Sequence, residues 1–135
     1  MFAASAVAAD HHSLNGTWAL EPTRSDFAGE PVIQTGTVVI NDRQHNIFVS
    51  RSFNFDGAKE SVDYSFSTDG RENSNIRQGK AFKSKAKWEG DVLRVTTTAN
   101  ESTTVERYSL MPDGSLMLTV ERPEHREVRL YFRRQ

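Results

Sequence analysis

The sequence predicts an all-β fold, an antiparallel up-and-down β-barrel of about 8–10 strands. Three observations support this fold. Apolar and polar residues alternate along most of the 135-residue chain, as they do in strands with one buried face. Turn-forming residues interrupt the alternation about every 8–14 residues. Nearly every connection is short, so consecutive strands are expected to pair, and closure into a barrel removes the two exposed edges of such a meander.

The composition excludes several classes of protein. The chain has 17 Lys and Arg residues against 18 Asp and Glu residues, and its formal net charge of -1 gives no argument for a nucleic-acid or acidic-membrane partner. Cysteine is absent, which excludes disulfides, thiolate metal sites and a cysteine nucleophile. No apolar run approaches the ~18 residues of a transmembrane helix, so no transmembrane segment is predicted.

The first residues resemble the end of a secretory signal peptide. Residues 2–9 are small and apolar, and Ala6-Val7-Ala8 matches the A-x-A pattern of a cleavage site. The basic segment and the longer apolar core that complete a signal peptide are missing. Residues 1–12 are therefore expected to be a signal-peptide remnant or a disordered arm, and residues 13–135 a single β-barrel domain. The signal-peptide interpretation predicts a periplasmic or secreted protein.

The strands can be assigned in order from their alternation and from the turns between them. A first strand at 14–20 precedes a connector at 21–34, whose two prolines and one glycine interrupt any regular element. One short helical turn is expected in this connector, beginning at Thr23 or Ser25, because both residue types are good helix caps. Turn sequences such as Asp56-Gly57, in which glycine supplies a positive φ, separate the later strands. These nine strands are predicted at 35–41, 46–55, 60–67, 72–77, 80–88, 91–98, 102–110, 115–122 and 126–133.

One alternate face of each strand supplies the predicted core. In the strand at 46–55 this face is apolar except for Arg51. A buried unpaired guanidinium costs several kcal/mol, so Arg51 requires an acidic partner such as Glu106, a wet cavity or an anionic ligand. Aromatic residues with polar tips on other strands are further candidates for ligand contact: Tyr64, Trp88 and Tyr108.

The predicted barrel carries no established catalytic or metal-binding motif. His45 and His125 are the histidines of the predicted barrel, and both fall in turns, so they give little support for a nucleophile and base. Four of the five lysines lie in the strand at 80–88, and three of them share its polar face, opposite the strand's aromatic residues. Nucleic-acid binding would place aromatic and basic residues on one face. No catalytic residue, metal, cofactor or nucleic-acid partner is therefore predicted.

Both ends of the chain resemble the calycins, the small barrels that include the lipocalins and the fatty-acid-binding proteins. Residues 14–20, Leu-Asn-Gly-Thr-Trp-Ala-Leu, resemble the Gly-x-Trp opening of lipocalins and the Gly-Thr-Trp-x-Leu opening of fatty-acid-binding proteins. Arg129 and Tyr131 resemble the Arg-x-Tyr ending of the latter family. Together with Arg24-Ser25-Asp26-Phe27, these ends are also similar to short exported bacterial proteins described as lipocalin-like.

The resemblance implies roles for residues at both ends. Trp18 would pack across the closed end of the barrel against Arg129 or Arg133. In fatty-acid-binding proteins the Arg-x-Tyr pair holds the ligand carboxylate inside, which implies the same role for Arg129 and Tyr131. Two features depart from that family: the connector at 21–34 is too short for its helix-turn-helix lid, and the apolar set of the last strand would have to face out. That set comprises Val128, Leu130 and Phe132.

These observations favour an exported, lipocalin-like barrel that binds a small hydrophobic or amphipathic ligand in its interior without catalysis. One alternative is an envelope protein-interaction or inhibitor module that uses its outer face. Another is a small barrel enzyme, an isomerase or hydrolase, that acts in the barrel mouth. The expected protein is a monomer or a weak homodimer. The candidate ligand-binding residues are Arg51, Tyr64, Trp88, Tyr108, Arg129 and Tyr131.

Overall fold

The computed structural model describes residues 13–43, 45–77, 79–99 and 101–135, and the predicted signal-peptide remnant or disordered arm at 1–12 lies outside them. Within these residues ten strands, β1 to β10, form an all-β fold, as predicted, with bounds that differ from the predicted ones by at most three residues. No helix among them is long and apolar enough to cross a membrane. The strands are Gly16–Leu20, Thr35–Arg43, Asn46–Phe55, Ala58–Ser67, Asp69–Arg77, Lys80–Glu89, Val92–Ala99, Ser102–Leu110, Leu116–Glu121 and Val128–Arg134.

The ten strands form one antiparallel sheet that curls into a nearly closed barrel. Strands adjacent in sequence pair with each other except at β4 and β5, and β1 pairs with β10, which brings the two ends of the described chain together. The sheet edges, β4 and β5, are joined by side-chain hydrogen bonds. Asn75 Oδ1 accepts from the Ser65 N–H at 3.0 Å, and Asn73 Oδ1 accepts from the Ser67 N–H at 3.3 Å. The prediction of an up-and-down barrel is thereby confirmed.

The barrel interior is lined by the alternate residues that the sequence predicts to face inward. A continuous apolar core runs through the barrel, and aromatic rings make close contacts within it. Tyr64 stacks on Phe66 with ring centres 5.3 Å apart and meets the edge of Phe82 at 5.6 Å. The largest fully buried side chains are Trp18, Tyr108, Phe66, Phe132, Leu14 and Ile47.

Trp18 lies at one end of this core and is fully buried. Its indole Nε1 donates to the Leu14 carbonyl at 3.0 Å, and the Arg134 guanidinium lies 4.2 Å from the ring centre. The predicted partners, Arg129 and Arg133, are therefore wrong. The register of β1 and β10 places Trp18 directly opposite Arg134, and directly opposed residues carry their side chains on the same face of a sheet.

Gly16 makes the close approach of this arginine possible. Its φ of +145° is strained for any residue with a side chain, and a Cβ there would lie 2.6 Å from Arg134 Nη1. The same nitrogen donates to the Asn15 carbonyl. The glycine of the Gly-Thr-Trp sequence is thus explained by the packing of the arginine on Trp18.

The connector at 21–34 hydrogen-bonds to the edge of β10 that β1 leaves unpaired. Its helical turn is a 3-10 helix at Pro22–Arg24, so it begins before the predicted Thr23 or Ser25, because proline suits the first position of a helix. Ser25 Oγ accepts from the Tyr131 backbone N–H at 3.0 Å. The connector is therefore ordered, as expected, and contains no helix-turn-helix lid.

Candidate functional site

The barrel interior contains a cavity of about 340 Å³ between the connector and strands β3, β4, β8, β9 and β10. This volume falls in the range of ~300–1,000 Å³ that is typical of small-molecule sites. Most of the wall is apolar and consists of Phe27, Pro31, Ile33, Phe53, Phe55, Leu118, Val120, Val128 and Leu130. The charged side chains in the lining are Glu30, Arg51, Glu60, Glu106 and Arg122.

Arg51 is the centre of a buried polar cluster in the wall of this cavity. From β3 it reaches across the barrel to β8, where its Nη1 donates to Glu106 Oε2 at 2.8 Å and to Tyr108 OH at 3.2 Å. Its Nη2 donates to Tyr64 OH at 3.0 Å, and the guanidinium lies 5.0 Å from the centre of that ring. The side chains of Arg51 and Glu106 are only 7% and 8% exposed. The sequence left open whether Arg51 has an acidic partner, a wet cavity or an anionic ligand, and the structure shows the acidic partner, Glu106.

Two members of the cluster, Arg51 and Tyr108, have strongly shifted pKa values. Burial alone would lower the pKa of Arg51, but the attraction of Glu106, together with smaller contributions from Tyr108 and Tyr64, outweighs burial and raises that pKa well above its ordinary value. Burial raises the pKa of Tyr108 well above its ordinary value of 10.0, and the positive charge of Arg51 opposes this effect only in part. Arg51 is therefore a cation and Tyr108 a neutral phenol throughout the physiological pH range.

A second cavity adjoins the same cluster. It has a volume of about 140 Å³ and shares Thr104 and Glu106 with the larger cavity, while Tyr64 completes its contact with the cluster. Glu106 therefore borders both cavities. Among the described residues, no group of three His, Asp or Glu side chains is placed to hold a metal ion.

An ion pair ties the connector to the segment between β9 and β10 at the edge of the large cavity. Arg122 Nη2 lies 2.9 Å from Glu30 Oε1, and His125 Nδ1 lies 3.4 Å from Glu30 Oε2. The hydrogen bond from Arg122 lowers the pKa of the Glu30 carboxyl. The pair positions the connector, whose Phe27 and Ile33 form part of the cavity wall.

The structure brings three of the six predicted ligand residues together, namely Arg51, Tyr64 and Tyr108. Trp88 is half-buried and packs against the core, but it lies outside the lining of the large cavity.

Arg129 and Tyr131 lie on the outer face of β10. Arg129 Nε donates to Glu127 Oε1 at 2.7 Å, and the guanidinium of Arg24 in the connector lies 4.5 Å from the centre of the Tyr131 ring. The alternate apolar set, which the resemblance would have turned outward, is buried instead: Val128, Leu130 and Phe132. A role for Arg129 and Tyr131 in holding a ligand carboxylate inside the barrel therefore does not fit their position.

Sequence reasoning did not single out four polar residues of the cavity lining, namely Glu30, Glu60, Thr104 and Arg122. A signal existed for two of them. Glu60 shares the alternate face of Tyr64, and Thr104 shares that of Glu106, so extending the alternation to the strand ends identifies both. The contact of Glu30 with Arg122 joins two irregular segments far apart in sequence, and no local pattern indicates it.

Comparison with known proteins gives structural similarity only. No protein-family model matches the chain, and no curated protein shows a significant match. A mutant of the fluorescent protein UnaG superposes with a TM-score of 0.72 at 16% identity, covering 90% of this chain and 96% of that one. Secretory abundant heat soluble protein 4 from Ramazzottius varieornatus gives 0.68 at 15% identity, covering 90% and 94%.

A fatty acid binding protein of Schistosoma mansoni, solved in complex with arachidonic acid, superposes with a TM-score of 0.67 at 15% identity. The match covers 93% of this chain and 98% of that one, so the similarity extends over the whole barrel. At this level of identity the similarity concerns the fold. The chain has the fold of the calycin-like small barrels, the proteins that the sequences at both of its ends resemble.

Proposed function

We propose that the protein binds a small hydrophobic or amphipathic molecule inside the barrel and does not transform it. The observation that carries this proposal is the cavity of about 340 Å³, whose wall is apolar apart from a few charged groups. Such a cavity buries an apolar tail, while a small number of polar groups fix its orientation. The Schistosoma mansoni neighbour, a fatty acid binding protein with arachidonic acid, supports the same use of this fold.

The pKa shifts of Arg51 and Tyr108 favour binding over catalysis. A Tyr, Arg and Glu cluster beside a cavity is the geometry that a small barrel enzyme would use. An efficient general acid or base has a pKa near the working pH, however. Burial moves the pKa of Tyr108 away from neutrality, and that of Arg51 rises as well. Both groups suit hydrogen bonding to a ligand better than proton transfer.

A second candidate function uses the outer face of the barrel. Val39 on β2 and Phe48 on β3 are 42% and 45% exposed, and they line one shallow depression. Exposed apolar side chains that adjoin each other can form a contact surface for another protein. This observation favours the alternative in which the protein is an envelope protein-interaction or inhibitor module that uses its outer face.

The proposal includes export, on the basis of residues 2–9 and their A-x-A pattern. The protein is proposed to be periplasmic or secreted and to be a monomer or a weak homodimer. N-terminal sequencing of the protein purified from its host tests the export, with a mature chain expected to begin after Ala8 or Ala9. A mature chain that retains residues 1–8 would contradict it.

Binding is tested by titrating the protein with Nile red, a neutral apolar dye, and displacing the dye with dodecanol. Thr104→Trp introduces a large side chain where both cavities meet, whereas Thr103→Trp places the same side chain on the exposed face of the same strand. We expect saturable binding to the wild type and to Thr103→Trp, and a loss of at least about tenfold in Thr104→Trp. Equal affinities in the two variants would place the binding site outside the barrel interior.

A further inference from the structure

The large cavity carries an unusual charge balance for a barrel that would hold a fatty acid. Three carboxylates line it, Glu30, Glu60 and Glu106, against two guanidinium groups, those of Arg51 and Arg122. Both arginines are already paired, because Arg51 lies 2.8 Å from a Glu106 oxygen and Arg122 lies 2.9 Å from a Glu30 oxygen. The third carboxylate, that of Glu60, has no ion-pair partner among the described residues of the cavity lining. The lining therefore offers an incoming anion no uncompensated cation.

The buried cluster still has hydrogen-bonding capacity. Arg51 Nε has no hydrogen-bond partner among the described residues, although Arg51 is only 6% exposed and lines the cavity. An unpaired buried donor costs about 1–3 kcal/mol, so an acceptor that satisfies it is favoured. Glu106 contacts Arg51 through Oε2, and its other oxygen, Oε1, has no partner among the described residues either. The cluster therefore keeps one unpaired donor, on Arg51, and one unpaired acceptor, on Glu106.

The polar group of a ligand can be anionic, cationic or uncharged, and each kind interacts differently with this cluster. A carboxylate can accept from Arg51, but it would lie beside the Glu106 carboxylate, and two like charges in a site of low polarity repel strongly. An ammonium group can donate to Glu106, but it would lie beside a guanidinium and has no lone pair to accept with. The carboxylate of Glu60, which would also attract a cation, is partly exposed, and solvent weakens that attraction. A hydroxyl or primary amide can accept from Arg51 and donate to Glu106 without adding charge.

We propose that the cavity selects amphipathic molecules whose polar group is uncharged and both donates and accepts hydrogen bonds, and that it discriminates against long-chain carboxylates. This inference rests on the proposed function, because it assumes that the ligand's tail occupies the cavity. Arg51 and Glu106 act together as the specificity-determining pair. Arg51 supplies the donor, and Glu106 supplies the acceptor and cancels the charge that would otherwise attract a carboxylate.

The test compares three probes with one tail, dodecanol, dodecanoate and dodecylamine, by displacement of Nile red from the full chain at neutral pH. We expect dodecanol to bind at least about tenfold more tightly than either charged probe. Equal or tighter binding of dodecanoate, or tightest binding of dodecylamine, would overturn the inference and leave the proposed function intact. Failure of all three probes to bind would overturn the proposed function itself.

A variant identifies the source of the selectivity. Glu106→Gln leaves Arg51 as an uncompensated cation, so dodecanoate is expected to bind at least about tenfold more tightly than to the wild type. The matched control is Glu121→Gln, which removes a carboxylate from an ion pair with Arg107 on the outer face. It should leave all three affinities unchanged. No gain for dodecanoate in a folded Glu106→Gln protein contradicts the proposal, and the wild-type comparison decides it even where this variant fails to fold.

Discussion

The Arg51–Glu106 pair is predicted to stabilise the fold only while both partners are present. Both side chains are more than nine-tenths buried, and their charged atoms lie 2.8 Å apart. Removing one partner of a buried pair leaves the other uncompensated and costs about 3–5 kcal/mol. Arg51→Met also removes two hydrogen bonds to tyrosine hydroxyls, so we expect it to reach the upper end of this range. For a domain of this size the loss corresponds to a fall of roughly 10–20 °C in Tm.

The assay is a double-mutant cycle of Arg51→Met and Glu106→Gln, with unfolding in urea followed by tryptophan fluorescence. The double variant removes both charges together, so we expect it to be more stable than the two single losses predict by about 2–3 kcal/mol. The outer pair of Arg107 and Glu121 is the matched control, because its atoms are also 2.8 Å apart while its side chains are 35% and 53% exposed. There the coupling should be at most about 1 kcal/mol. Additive losses at the inner pair, with no coupling above that of the outer pair, would refute the reasoning.

Three further predictions concern the rest of the barrel. Gly16→Ala should lower the unfolding free energy by about 1–3 kcal/mol, because a side chain is strained at this φ and displaces Arg134. Thermal denaturation measures this loss, with Thr17→Ala as the control variant. Asn75→Ala should cost about 1–2 kcal/mol and speed amide hydrogen exchange at the facing edge of β4; unchanged exchange there would contradict a bridging role. Glu30 has a pKa in the folded state below its ordinary value of 4.5, so its carboxylate stabilises the fold above pH 4.5 and loses this effect as the pH falls through the folded-state pKa. The stability difference between the wild type and Glu30→Gln should therefore shrink in acid, and a difference that grows in acid would reverse the sign of the argument.

The strands were predictable from sequence because their signals are local. Alternation identifies which residues of a strand share a face, and turn residues mark its ends, so all ten strands were found. The contact of Arg51 with Glu106 joins residues 55 positions apart, yet an inward arginine on an apolar face requires a charged partner, and Glu106 was available. A strong physical requirement thus made one long-range contact predictable.

The last strand shows where this reasoning stops. Two alternate sets of β10 each contain large apolar or aromatic residues, and a single sequence does not decide which set is buried. Arg24 of the connector stacks on the Tyr131 ring and covers it from outside. Tyr131 is therefore a large aromatic residue on the outer face, a residue type that usually indicates a buried face. The partner of Trp18 depends on the register of β1 against β10, and this register places Trp18 opposite Arg134. The sequence of a single strand does not determine that register.

The most direct test of the account locates a bound tail inside the barrel. Unlabelled dodecanol is added to protein labelled with ¹³C at its methyl groups, and NOEs between the ligand and the protein are recorded. The account predicts contacts from the alkyl chain to the cavity methyls of Leu118, Val120 and Leu130. Saturable binding with NOEs confined to Val39 on the outer face would contradict it.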